Sequence, residues 1–144
     1  MSAWRRRTLY RAGPDGRVAE LAHSAVSDGP LYAVWRVRGL PGGERIVARL
    51  SGLGRGIGPW EDTCLDLSTG EELVISSEDA DVEARRLTVA DFPPALAAVW
   101  PRGSNGKLIP PGASASGNGT EIGPARLRKL AGKVDLTPAQ PALF

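Results

Sequence analysis

Residues 31–50 read LYAVWRVRGLPGGERIVARL. Two stretches rich in β-branched and aromatic residues, 31–39 and 44–50, flank a Leu-Pro-Gly-Gly turn, and that arrangement predicts a β-hairpin. Strand side chains alternate, so Leu31, Ala33, Trp35 and Val37 point one way and Tyr32, Val34, Arg36 and Arg38 the other. In the second strand Ile46, Ala48 and Leu50 share a face, with Arg45, Val47 and Arg49 opposite. In the usual hairpin register Arg36, Arg38, Arg45 and Arg49 are expected on one solvent face with Tyr32 nearby.

The pattern repeats on both sides of this hairpin. An Ala-Gly-Pro-Asp-Gly turn separates strand-like residues 4–12 and 17–26, a Ser-Thr-Gly-Glu turn separates 63–67 and 72–76, and a seventh strand is expected within 83–89. Strands joined by short turns favour a mainly β fold: an antiparallel meander or small barrel of six to seven strands. Gly52, Gly54, Gly56 and Gly58 precede Trp60, but the dinucleotide-binding spacing fails, since its last glycine would fall on Ile57 or Pro59. The segment reads as a bent connection that Trp60 returns to the core.

Residues 91–100 suggest a short helix, with Asp91 as cap, prolines in the first turn, Pro101 as the stop, and Phe92, Leu96, Val99 and Trp100 on one face. Residues 103–123 are rich in Gly, Ser, Asn and Pro and read as a linker. A second short helix is expected after Pro124, with Leu127, Leu130 and Ala131 clustered and Arg126, Arg128 and Lys129 around them. The expected organisation is thus a β-rich domain over 1–102, a linker over 103–123, and a basic helix with a flexible C-terminal peptide over 124–144.

With 42% hydrophobic and 24% charged residues, the 144-residue chain has the composition of a folded domain, while 18 Gly and 12 Pro imply many turns. Its positive charge is mostly guanidinium, 15 Arg against Lys107, Lys129 and Lys133. Arginine suits phosphate, and arginines with an aromatic on an open sheet suit single-stranded DNA, so Arg36, Arg38, Arg45, Arg49 and Tyr32 are candidate nucleic-acid contacts. The acidic segment 78–83 opposes phosphate wherever it shares their side.

The single cysteine, Cys64, excludes an intrachain disulfide, and neither a secretory signal nor a membrane-length apolar run is present, so a cytoplasmic setting is expected. With His23 the sole histidine, a multi-histidine metal site is impossible. There is no nucleophile elbow, and Asp62, Asp66, Glu71 and Glu72 straddle a turn where acids are commonplace. Catalysis and a cofactor are not expected.

The chain closes on Gln140-Pro141-Ala142-Leu143-Phe144, two large apolar residues behind a polar amide. This resembles the Gln-x-x-Leu-Phe peptides by which many bacterial polymerases, repair proteins and replication regulators bind the DNA sliding clamp. The resemblance implies that the Gln140 amide hydrogen-bonds at one edge of the clamp's peptide site while Leu143 and Phe144 fill an adjoining apolar pocket. Pro141 and Ala142 depart from the family's preference for an aliphatic residue followed by Ser or Asp. The expected function is a non-enzymatic accessory of bacterial or phage replication or repair. The alternative is an assembly protein, such as a virion or connector component, whose C-terminal arm docks on a neighbouring subunit.

Overall fold

The computed structural model describes residues 3–11, 20–27, 30–53, 60–112, 122–134 and 136. In chain order they form β1 (Arg5–Arg6), β2 (Thr8–Arg11), β3 (Glu20–His23), β4 (Val34–Arg38), β5 (Arg45–Leu53), β6 (Glu61–Asp66), β7 (Glu72–Ser76), β8 (Glu83–Leu87), a 3-10 turn (Val89–Asp91), α1 (Pro94–Val99) and α2 (Pro124–Leu130). The fold is mainly β. Six strands make one antiparallel sheet in the order β1-β8-β4-β5-β6-β7, and β2 pairs with β3 in a separate two-stranded sheet.

The strands flanking each foreseen turn do pair, β2 with β3, β4 with β5 and β6 with β7, although the turn expected at 12–16 lies outside the described residues, and β4 to β7 run as a meander. The barrel alternative is not what forms, because β1 and β7 end the sheet. After β7 the chain crosses over through residues 77–82 and returns beside β4 as β8. Gly39 makes room for that crossing: its φ is +91°, and a Cβ there would lie 2.2 Å from the Asp81 carbonyl oxygen.

Both faces of the sheet are covered, so β4 and β5 place apolar residues of both parities in a core, among them Val34 and Trp35, and Ile46 and Val47. One face carries Val34, Ile46, Ala48, Leu65 and Leu87 against Phe92, Leu96 and Trp100 from the α1 region and Leu127 and Leu130 from α2. Val134 and Leu136 join the same core. The opposite face carries Trp35, Val37, Val47, Cys64, Ile75 and Ala84 against Ala25, Val26 and Val82. Each fully buried leucine here contributes about 1.5–3 kcal/mol from burial.

The C-terminal region departs from the expected linker, and of the two outcomes open to the second helix, packing back on the domain or folding against a partner, the first is what forms. Residues 103–112 fold back on α1: Trp100 Nε1 donates to the Ile109 carbonyl at 2.7 Å, Gly103 N to the Lys107 carbonyl at 2.9 Å, and Arg102 bridges Leu108. Ile109 and Ile122 are buried in the helix-facing core, so the stretch expected to be a spacer supplies packing at both of its described ends. Helix α2 docks through Leu127 and Leu130, which offsets the instability of so short a helix on its own. Residues 113–121, like Gln140, Leu143 and Phe144, lie outside the described residues.

Two local readings also change. Asp91 caps the 3-10 turn rather than α1, accepting from Thr88 N and Thr88 Oγ1 at 3.0 Å each, and the Thr88 backbone hydrogen bond holds its carboxyl below the ordinary value of 3.8. Val99 turns outward, whereas Phe92, Leu96 and Trp100, spaced by four, make the buried stripe, with Phe92 edge-on to Trp100 at 4.9 Å between centroids. Among the described residues no helix is long and apolar enough to cross a membrane.

Candidate functional site

The β4–β5 register separates the arginines expected on a common face. Trp35 lies opposite Val47, Arg36 opposite Ile46 and Val37 opposite Arg45. Arg36 and Arg38 therefore sit on the helix-facing side, and Arg45 and Arg49 on the other. A one-residue difference in register exchanges every side chain between faces, and the six-residue connection 39–44 fixes the pairing that splits the set. The four arginines do not share a solvent face.

Each is held by a carboxylate. Arg36 Nη1 meets Glu44 Oε1 at 3.1 Å, and Arg38 Nε meets Glu83 Oε1 at 3.3 Å while its guanidinium lies 3.8 Å from the centre of the Trp4 ring. Arg45 Nη1 donates to Asp66 Oδ2 at 2.8 Å and its Nη2 to the Pro41 carbonyl at 3.1 Å. Tyr32, at φ +67°, donates its backbone N–H to the Arg49 carbonyl at 2.7 Å and packs against the helix-facing core. It stands in a turn just before β4 rather than in an open strand.

The fourth arginine belongs to a constellation that the sequence reading missed. Arg49 is only 7% exposed, and its Nε donates at 2.7 Å to Oδ1 of Asp62, which is fully buried. Asp62 Oδ2 also accepts from Trp60 Nε1 at 2.9 Å and from the Ser24 hydroxyl. Trp60 N donates to Ser77 Oγ at 3.0 Å, Ser77 N returns a bond to the Trp60 carbonyl at 2.8 Å, and His23 packs its ring against Trp60 at 5.2 Å. One charged pair thus joins the end of β3, the β5–β6 ladder and the 77–82 crossover.

Its position follows from an irregularity in β5. The ladder runs Arg49 to Cys64 and then Ser51 to Thr63, so a bulge inserts one residue and brings Gly52 onto the face already used by Arg49. A Cβ at Gly52 would approach Arg49 Nη2 to 2.3 Å, Asp62 Oδ1 to 2.7 Å and Trp60 to 2.9 Å. Gly52, read as part of a bent connection, is a strand residue that admits the ion pair. Alternation in 60–64 was the available signal, since Trp60, Asp62 and the buried Cys64 share parity.

Chemically the cluster is a closed hydrogen-bonded unit. Ser24 donates directly to Asp62, and the His23 ring meets Trp60 at a tilt of 51°. Burial, reinforced by Asp62, pushes the Cys64 thiol well above its ordinary value, which suppresses its thiolate. The acids considered around the β6–β7 turn go to separate partners: Asp62 to Arg49, Asp66 to Arg45 and to Ser68 N at 2.9 Å, and Glu72 to Arg128. Compared with protein-family models, curated proteins and solved structures, the chain matches none.

Proposed function

We propose that this protein is a non-enzymatic accessory of bacterial or phage DNA replication or repair, working in the cytoplasm, that engages the sliding clamp through Gln140, Leu143 and Phe144. The observation that carries the reading is where the domain's described core closes. Leu136 is buried and its backbone N–H donates to Ser68 Oγ at 3.0 Å, binding the chain to the β6–β7 turn. Gln140 follows four positions later, within about 14 Å of that anchor for an extended chain.

The ion-paired arginines and the satisfied Asp62 cluster support a division of labour in which the folded body supplies stability and the peptide supplies recognition. Two apolar anchors and one amide, less the cost of ordering the segment, correspond to a dissociation constant on the order of micromolar. The reading is tested with purified bacterial clamp and two proteins, the intact chain and a version ending at Ala139. Binding by the first alone supports it. Equal binding by both, or self-association of the intact chain without clamp binding, favours docking on a neighbouring subunit or another surface.

A further inference from the structure

Between the end of α1 and α2 lies a groove of about 400 Å³, lined by Val99, Pro101, Arg126, Lys129, Leu130 and Lys133. Its apolar side includes Val99, which is 45% exposed and one of three exposed large apolar residues among those described. Among the described residues, three cations and no carboxylate complete the lining.

Several sheet arginines are already ion-paired, although Arg86 in β8 has no ion pair among the described residues. Arg36, Arg38, Arg45, Arg49 and Arg85 each face an acid, and Arg128, on α2 itself, reaches Glu72. Among the described residues Arg126, Lys129 and Lys133 have no ion pair. Helix electrostatics does not account for the set, because Arg126 stands in the first turn of α2, where the helix dipole disfavours a cation.

We infer that this groove is a docking site for an acidic segment of a partner protein that carries one large apolar side chain. The apolar residue covers Val99 and Pro101 while flanking carboxylates meet Arg126, Lys129 and Lys133. A volume of about 400 Å³ falls within the range of sites that enclose a small ligand or a side chain with its neighbours. Nucleic acid would satisfy the three charges through phosphate, but its sugars and thymine methyls offer the Val99 side less apolar surface than a large aliphatic or aromatic side chain does. The proposal involves other residues than Gln140, Leu143 and Phe144, and the two readings can fail separately.

The test uses the full chain and a fluorescent synthetic peptide carrying one Leu-Phe pair between runs of glutamate, read by anisotropy at low and moderate salt. Changing Arg126, Lys129 and Lys133 together to Gln, all exposed positions, should weaken binding on the order of tenfold without moving the melting temperature. Val99→Ser should weaken it by about a few-fold, as should replacing the peptide's Leu-Phe pair with Ala-Ala. Equal binding of the Ala-Ala peptide, displacement by oligothymidine, or no binding at low salt would overturn the proposal. So would tighter binding by a Leu143→Ala, Phe144→Ala chain, which would assign the groove to the protein's own apolar pair.

Discussion

On the face that meets the helices, Val34, Ile46, Ala48, Leu65 and Leu87 pack against apolar side chains. On the opposite face, Trp35, Val47, Cys64 and Ile75 share their interior with the buried groups Ser24, Arg49, Asp62 and Ser77. The first interface is non-directional and tolerates exchange of one apolar group for another of similar volume. The second tolerates little, because Ser24, Arg49, Asp62 and Ser77 each depend on a named partner at hydrogen-bond distance. The helix-facing side mainly supplies burial energy, whereas the other fixes which strands and crossings belong together.

The largest expected effect is on the polar face. Arg49→Met leaves the Asp62 carboxylate buried without its cation and should cost about 3–5 kcal/mol in denaturant unfolding. A loss below about 1 kcal/mol would place the pair with weak surface bridges and erase the contrast between the faces. Leu127→Ala, its counterpart on the apolar face, should cost about 2–5 kcal/mol, and Leu127→Met should restore most of that loss.

Gly52→Ala sharpens the comparison by keeping every polar group and adding one methyl where the bulge meets the ion pair. Its expected cost is about 1–3 kcal/mol, measured by the same unfolding curves, and a neutral result would show that the cluster can shift. The smallest effect is expected at Trp35, whose Nε1 is buried without a hydrogen-bond partner. Trp35→Phe removes that unmet donor along with some packing, so these changes offset and the net should lie within about 1.5 kcal/mol.

The hairpins were legible because their signals are local. A turn such as 68–71 between alternating runs suffices to pair its own flanks. Register was not legible: Arg36 and Arg45 looked alike in sequence, and only the pairing across 39–44 put them on opposite faces. The bulge after Arg49 was equally hidden, and with it the reason for Gly52 and the burial of Asp62. Composition misled at 103–123, where Leu108, Ile109 and Ile122 are outnumbered by small and polar residues yet join the core between helices and sheet. The expected peptide contacts, Gln140, Leu143 and Phe144, were read from residue types and order alone.

The proposed division between a folded body and a clamp-binding peptide is tested most directly by changing Leu143 and Phe144 together to alanine in the full chain, then measuring clamp affinity and melting temperature. The account predicts that clamp binding is lost while the melting temperature holds, because residues that dock only on a partner add little to the domain's own stability. A melting temperature lowered by several degrees, at about 3 °C for each kcal/mol lost in a domain of this size, with no clamp binding by the unmodified chain, would contradict it and place both residues in the protein's own core.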